Sequence, residues 1–113
     1  MVPKAPPVSV VTPNADGIQT RTVVINQANR PIQLPSMDIP DGFPVVVKAW
    51  PNPPNTGRIY VAESKAYCLD INYVTPLRPG EFVSYYVKNA SSIWISGTVA
   101  GDRVTITSEK NQD

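Results

Sequence analysis

The chain has 113 residues, 42% hydrophobic and 17% charged, with ten basic and nine acidic side chains and a net charge of +1. That length holds one domain with a single modest core, and the cations, spread evenly from Lys4 to Lys110, give no converging face for a nucleic-acid backbone. Histidine is absent and Cys68 is the only cysteine, which excludes an internal disulfide and a Cys/His zinc site and removes the commonest general base.

In chain order, residues 1–17 are a proline-punctuated stretch ending in the turn pair Asp16-Gly17, and nothing in it alternates as a core strand does. No apolar run of signal-peptide length follows Met1, and runs such as Val45 to Val47 are far too short to span a bilayer. The expectation is a chain made in the cytoplasm with no membrane partner. Gly17 to Ala28 reads as a strand of weak sidedness, with Ile18, Thr20, Thr22 and Val24 on one face and Gln19, Arg21, Val23 and Ile25 on the other. The whole of 1–28 is assigned to an extended N-terminal arm.

From residue 29 to 108 the text is that of a β-domain. Pro31, Pro35 and Pro40 restrict Ile32 to Leu34 to a short edge strand, and Pro40-Asp41-Gly42 is a turn. Val45, Val47 and Ala49 face one way, and Val46, Lys48 and Trp50 the other. Pro51 to Gly57 is a loop, followed by a strand with Ile59 and Val61 inward. Glu63 to Thr75 is the least legible part, where Leu69, Ile71 and Tyr73 suit a short strand or a packed loop.

Pro79-Gly80 supplies the fixed φ and the positive φ of a type II turn, and a strand from Phe82 to Lys88 leaves it. Asn89 to Ser92 turns into Ile93, Ile95 and Gly97 facing one side. Gly101-Asp102 turns again into Arg103 to Thr107, with Val104 and Ile106 inward. Residues 109–113 form a polar tail. Thirteen prolines placed between these segments disfavour any long helix. The fold class is therefore all-β: an antiparallel, jelly-roll-like β-sandwich of about seven to eight short strands.

Catalytic readings are weak beside structural ones. Cys68 reads as a small buried hydrophobe, and Asp38 and Asp41, beside prolines and a glycine, read as turn formers. Asn89-Ala-Ser91 fits a glycosylation acceptor but reads as a turn in this context. The expectation is no enzyme, no metal and no cofactor. Trp50, Trp94 and the tyrosines suit core or protein-interface positions, with a carbohydrate platform as the alternative.

The segments Leu34-Pro-Ser36, Ile39-Pro-Asp-Gly-Phe-Pro44, Asn55-Thr-Gly-Arg-Ile-Tyr-Val61, Leu77-Arg-Pro-Gly-Glu81 and Ile93-Trp-Ile95 with Gly101-Asp102 resemble small virion-associated proteins of tailed bacteriophages, over residues 32–107. The resemblance implies a β-sandwich serving as a capsid decoration (cement) unit, bound to the major capsid protein or other virion proteins as a homo-oligomer, a trimer. A neck, tail or fibre accessory and a carbohydrate-binding module for host attachment are the alternatives. The implied location is the virion. The contact residues expected are Val10, Ile18, Val23 and Ile25 in the arm and Trp50, Asn52 and Asn55 in the second loop.

Overall fold

The computed structural model describes residues 17–69 and 76–110. Eight strands run in chain order: β1 (Ile18–Val24), β2 (Ile32–Gln33), β3 (Val45–Ala49), β4 (Ile59–Ala62), β5 (Pro76–Leu77), β6 (Phe82–Tyr85), β7 (Trp94–Gly97) and β8 (Arg103–Glu109). A five-residue helix, α1 (Lys65–Leu69), lies between β4 and β5, and a 3-10 turn spans Ala90–Ser92. No helix among these residues is long and apolar enough to cross a membrane.

Two four-stranded sheets form, in the orders β1-β8-β3-β6 and β2-β7-β4-β5, and every pairing is antiparallel. The pairs β1–β8, β2–β7, β3–β6 and β4–β5 describe one long hairpin with its tip between β4 and β5. The further pairs β3–β8 and β4–β7 roll that hairpin up so that its two layers face each other. This is the strand order of an eight-stranded jelly roll, and the all-β sandwich expected from the turn spacing is the fold observed.

The alternation read from sequence decides what lies between the sheets. Val45, Val47 and Ala49 of β3, Val104 and Ile106 of β8, Ile59 of β4 and Ile95 of β7 are all fully buried, each large one contributing about 1.5–3 kcal/mol relative to exposure. Val83 and Tyr85 of β6 pack against them half-buried, as expected of an edge strand. Three turns carry the glycines that their geometry needs. Gly42, Gly80 and Gly101 have φ of 87°, 88° and 96°, and the closing bonds are Phe43 N to Pro40 O, Glu81 N to Arg78 O and Asp102 N to Val99 O.

Four expectations are corrected. The arm does not extend to residue 28: β1 pairs with β8 at seven consecutive positions, from Ile18↔Glu109 to Val24↔Arg103. Its sidedness is weak in sequence because it is an edge strand, where Gln19 and Arg21 sit at the rim of the inner face and stay partly or largely exposed. Ile25 follows it into the core at 0% exposure, its N–H donating to Asp102 O and its carbonyl accepting from Gly101 N. Glu109 ends β8 and does not open a tail.

Lys65–Leu69 is helical, where the sequence suggests a short strand or packed loop for Leu69. Ser64 starts the helix: its Oγ accepts from Tyr67 N and its carbonyl from Cys68 N. The helix packs on β7 and β4, where Ser96 Oγ donates to Cys68 O at 3.0 Å. That cover buries an outward-facing serine. Residues 1–16, with Val10, the stretch 70–75, with Ile71 and Tyr73, and residues 111–113 lie outside the described residues.

Candidate functional site

The loop from Pro51 to Gly57 joins the two sheets, and its base is fixed by two buried polar side chains. Asn55, 0% exposed, grips the backbone of Arg103 as a neighbouring strand would: Nδ2 donates to Arg103 O at 2.9 Å and Oδ1 accepts from Arg103 N at 2.8 Å. Asp102, 1% exposed, accepts from Thr56 N through Oδ1 at 3.1 Å and from Gly57 N through Oδ2 at 2.8 Å. Carboxylate-to-amide bonds of this kind are stronger than neutral ones. The tip, Pro51 to Pro54, is left exposed on this base, so little conformational entropy remains to be lost if it docks.

Trp50 precedes the loop and projects from the outer face of the β1-β8-β3-β6 sheet. Its Nε1 donates to Thr105 Oγ1 at 2.6 Å, and the Arg103 guanidinium carbon lies 4.9 Å from the ring centroid. Stacking on the ring face favours the charge; Arg103 Nε is buried without a hydrogen-bond partner among the described residues. Strand register extends this surface. Thr22↔Thr105↔Lys48↔Phe82 forms one cross-strand row and Thr20↔Thr107↔Val46↔Ser84 the next. The centre of the face is therefore four threonines and a valine, β-branched, with Lys48 as the one charge in these two rows, a texture suited to close contact with another protein.

The far edge of that face is β6 and the residue that follows it: Phe82 is 64% and Tyr86 76% exposed. Phe82 borders a shallow hollow of about 490 Å³ with Pro76 and Leu77, and Tyr86 one of about 180 Å³ with Phe43 and Val87.

The expected contact residues divide. Ile18, 70% exposed, stands on the outer face of β1, whereas Val23 packs against the core and Ile25 lies within it. Asn52 is exposed and Trp50 half-buried beside it, but Asn55 is an internal clamp with no surface to offer. Ile18 and the Trp50 loop are also at opposite ends of the sandwich. β1 starts beside Glu109, and its other end meets Arg103, the residue under Trp50, so about 20 Å of strand separates them. Trp50 and Trp94 project from the outer faces of different sheets, so the two tryptophans do not share a platform.

Other polar side chains singled out by sequence hold turns. The Asn89 amide uses both ends: Oδ1 accepts from Met37 N and Ser91 N, and Nδ2 donates to Ser36 Oγ and Asp38 Oδ1. Cys68 is buried, and burial pushes its thiol up to about 11 against a backbone hydrogen bond at Ala62 that pulls it down, which suppresses the reactive thiolate. Burial also raises Tyr85, with smaller contributions from Cys68 and Glu63. Among the described residues, no three of His, Cys, Asp and Glu come close enough to hold a metal ion.

Sequence alone did not single out Asp102 or Arg103 as parts of this loop's support. The available signal was a carboxylate directly after a turn glycine, at the start of a strand. No protein-family model matches the chain, and no curated protein or solved structure matches it either.

Proposed function

We propose that the protein is a structural adhesion module of a tailed-bacteriophage virion, a decoration unit that binds capsid subunits and bridges them. One observation carries the bridging element: the rigid Pro51–Pro54 tip and the point where the leading segment joins, at Gly17, stand at opposite ends of one slab. A unit that tethers two neighbours needs separated contacts on a stiff body, and the clamped loop and fully paired β1 supply the stiffness. The threonine-rich face between them, with Lys48 in its midst, suits a flat protein surface. Jelly rolls also occur in lectins and enzymes, so the fold does not decide the role; the sequence resemblance to virion proteins tips it.

Quantitative mass spectrometry of purified virions tests the reading. Copy numbers comparable to those of the major shell protein support a decoration role. A few copies per particle transfer the chain to the neck or tail, and absence from particles overturns the proposal. Removing residues 1–16 is expected to abolish incorporation while the sandwich stays folded.

A further inference from the structure

Among the described residues the sandwich has four sheet edges, and three are blunted. β2 and β5 are two residues long and are flanked or entered by Pro31, Pro35, Pro76 and Pro79, while β1 carries Arg21 at its middle. Short edges, prolines and charges are the devices that keep sheets from pairing edge to edge. β6 has none of them between Phe82 and Tyr86.

Backbone phase shows which groups are open. Ala49 N donates to Glu81 O at 2.9 Å, which marks 49/81 as a hydrogen-bonded pair. By the alternation of an antiparallel ladder, Val83 and Tyr85 also turn their polar groups to β3. Phe82 and Ser84 therefore direct N–H and C=O away from the sheet, and Tyr86 follows directly after β6. These same three residues have exposed, outward side chains.

We propose that β6 pairs antiparallel with β6 of a second copy across a two-fold axis through Ser84, joining the two β1-β8-β3-β6 sheets into one. The segment Phe82-Val-Ser84-Tyr-Tyr86 is self-complementary in that register. Ser84 meets Ser84 at the axis, and Phe82 meets Tyr86 twice, so the two most exposed of the described aromatics cover each other as cross-strand pairs. Residues directly opposite share a face, so only a register centred on a residue matches outward to outward. Centring on Ser84 also uses the outward backbone groups of Phe82 and Ser84. Charge agrees: antiparallel pairing sets the acidic Glu81 end of each strand beside the basic Lys88 end of the other, whereas parallel pairing would align like charges. The interface is isologous and closed, so it limits growth at two copies. Five residues a side form a small contact, and the dimer is accordingly reversible.

The inference is independent of where the protein acts. Sedimentation velocity of the full chain over a broad concentration range should show a monomer–dimer equilibrium. Ser84→Lys, at an exposed site, should hold the chain monomeric at concentrations where wild type is dimeric, with an unchanged circular-dichroism spectrum. Ser84→Cys should oxidise to a covalent dimer, because opposed residues in a bonded pair lie about 5.5 Å apart at Cα, within disulfide reach. Thr20→Cys, on the same face and away from β6, is the control. A wild-type monomer at all concentrations, a trimer, or cross-linking of Ser84→Cys no faster than Thr20→Cys overturns the proposal. If Ser84→Lys misfolds, the cysteine pair still decides.

Discussion

Asn55→Ala tests whether the contact loop is held by the side-chain clamp on Arg103. The amide makes two bonds to the backbone of one residue, Arg103, at 2.9 and 2.8 Å, and they are not equivalent. Arg103 O also accepts from Trp50 N at 3.1 Å, so it keeps a partner when the clamp goes; Arg103 N is left without its acceptor. An orphaned buried N–H costs about 1–3 kcal/mol and the second bond adds about 1 kcal/mol, so the expected loss is about 2–4 kcal/mol. For a domain of this size that corresponds to a fall in Tm of about 8–16 °C, at roughly 4 °C per kcal/mol. Water entering the vacated space would move the result toward the lower bound.

The companion variant Asn55→Asp separates hydrogen bonding from size. It keeps an oxygen for Arg103 N but turns a second oxygen on Arg103 O and buries a charge, so it should be at least as destabilising near neutral pH. The new carboxyl is favoured neutral in the folded state, and its folded pKa lies above the unfolded value. Stability should therefore return as pH falls through the carboxylate range, where the protonated oxygen can donate to Arg103 O. Differential scanning calorimetry at several pH values reads both effects. An Asn55→Ala protein melting within about 2 °C of wild type would refute the clamp.

Other outcomes follow from the same geometry. Deleting residues 1–16 should leave a cooperative unfolding transition, whereas deleting 1–28 removes β1 and Ile25 and should abolish it; calorimetry of both truncations decides. Gly57→Ala should destabilise by about 1–3 kcal/mol through overpacking, because a Cβ there collides with Thr98 Oγ1, comes within 2.7 Å of Val99 Cγ2 and crowds Asp102 Oδ2 at 3.1 Å; equal denaturation midpoints would count against it. Cys68 titrates near 9.0 when unfolded and about 11 when folded, so the unfolded state loses its proton first. Its contribution to stability should be intact below that window and decline as pH rises through it, and Cys68→Ala should flatten the decline; parallel curves for the two proteins would contradict the burial.

Strand positions were legible where one face is dry. Val45, Val47, Ile59, Val104 and Ile106 are fully buried between half-buried or exposed neighbours because one side of each strand meets the other sheet. Legibility failed where a strand has only half a neighbourhood. In β1 the edge position relaxes the demand on Gln19 and Arg21, and the pattern that separates strand from arm fades. It failed again at Ser96, which α1 covers, and at Lys65–Leu69, a helix too short to show a period and marked only by Ser64. The loop was picked out by its prolines, but not its support, since Asn55, Asp102 and Arg103 converge only after β8 is laid beside β3.

The rolled-hairpin topology explains why one molecule offers two separated attachment points and one undefended edge. Pairing the first strand with the last puts the leading segment and the chain end together, and Lys110 N donates to Gly17 O at 2.8 Å. The connection between β3 and β4 must cross between layers at the other end, and that crossing is the clamped loop. Rolling also fixes which strands lie outermost: β1 and β2 on one side, β5 and β6 on the other. Of these, β5 and β2 are too short to recruit a partner and β1 carries Arg21 at its middle, which leaves β6 as the edge without such a device among the described residues. An edge bearing Phe82 and Tyr86 beside open backbone groups is an aggregation hazard in a free monomer. Self-pairing centred on Ser84 satisfies those groups and stops at two copies, leaving the threonine face and the loop tip of each copy free to engage a surface.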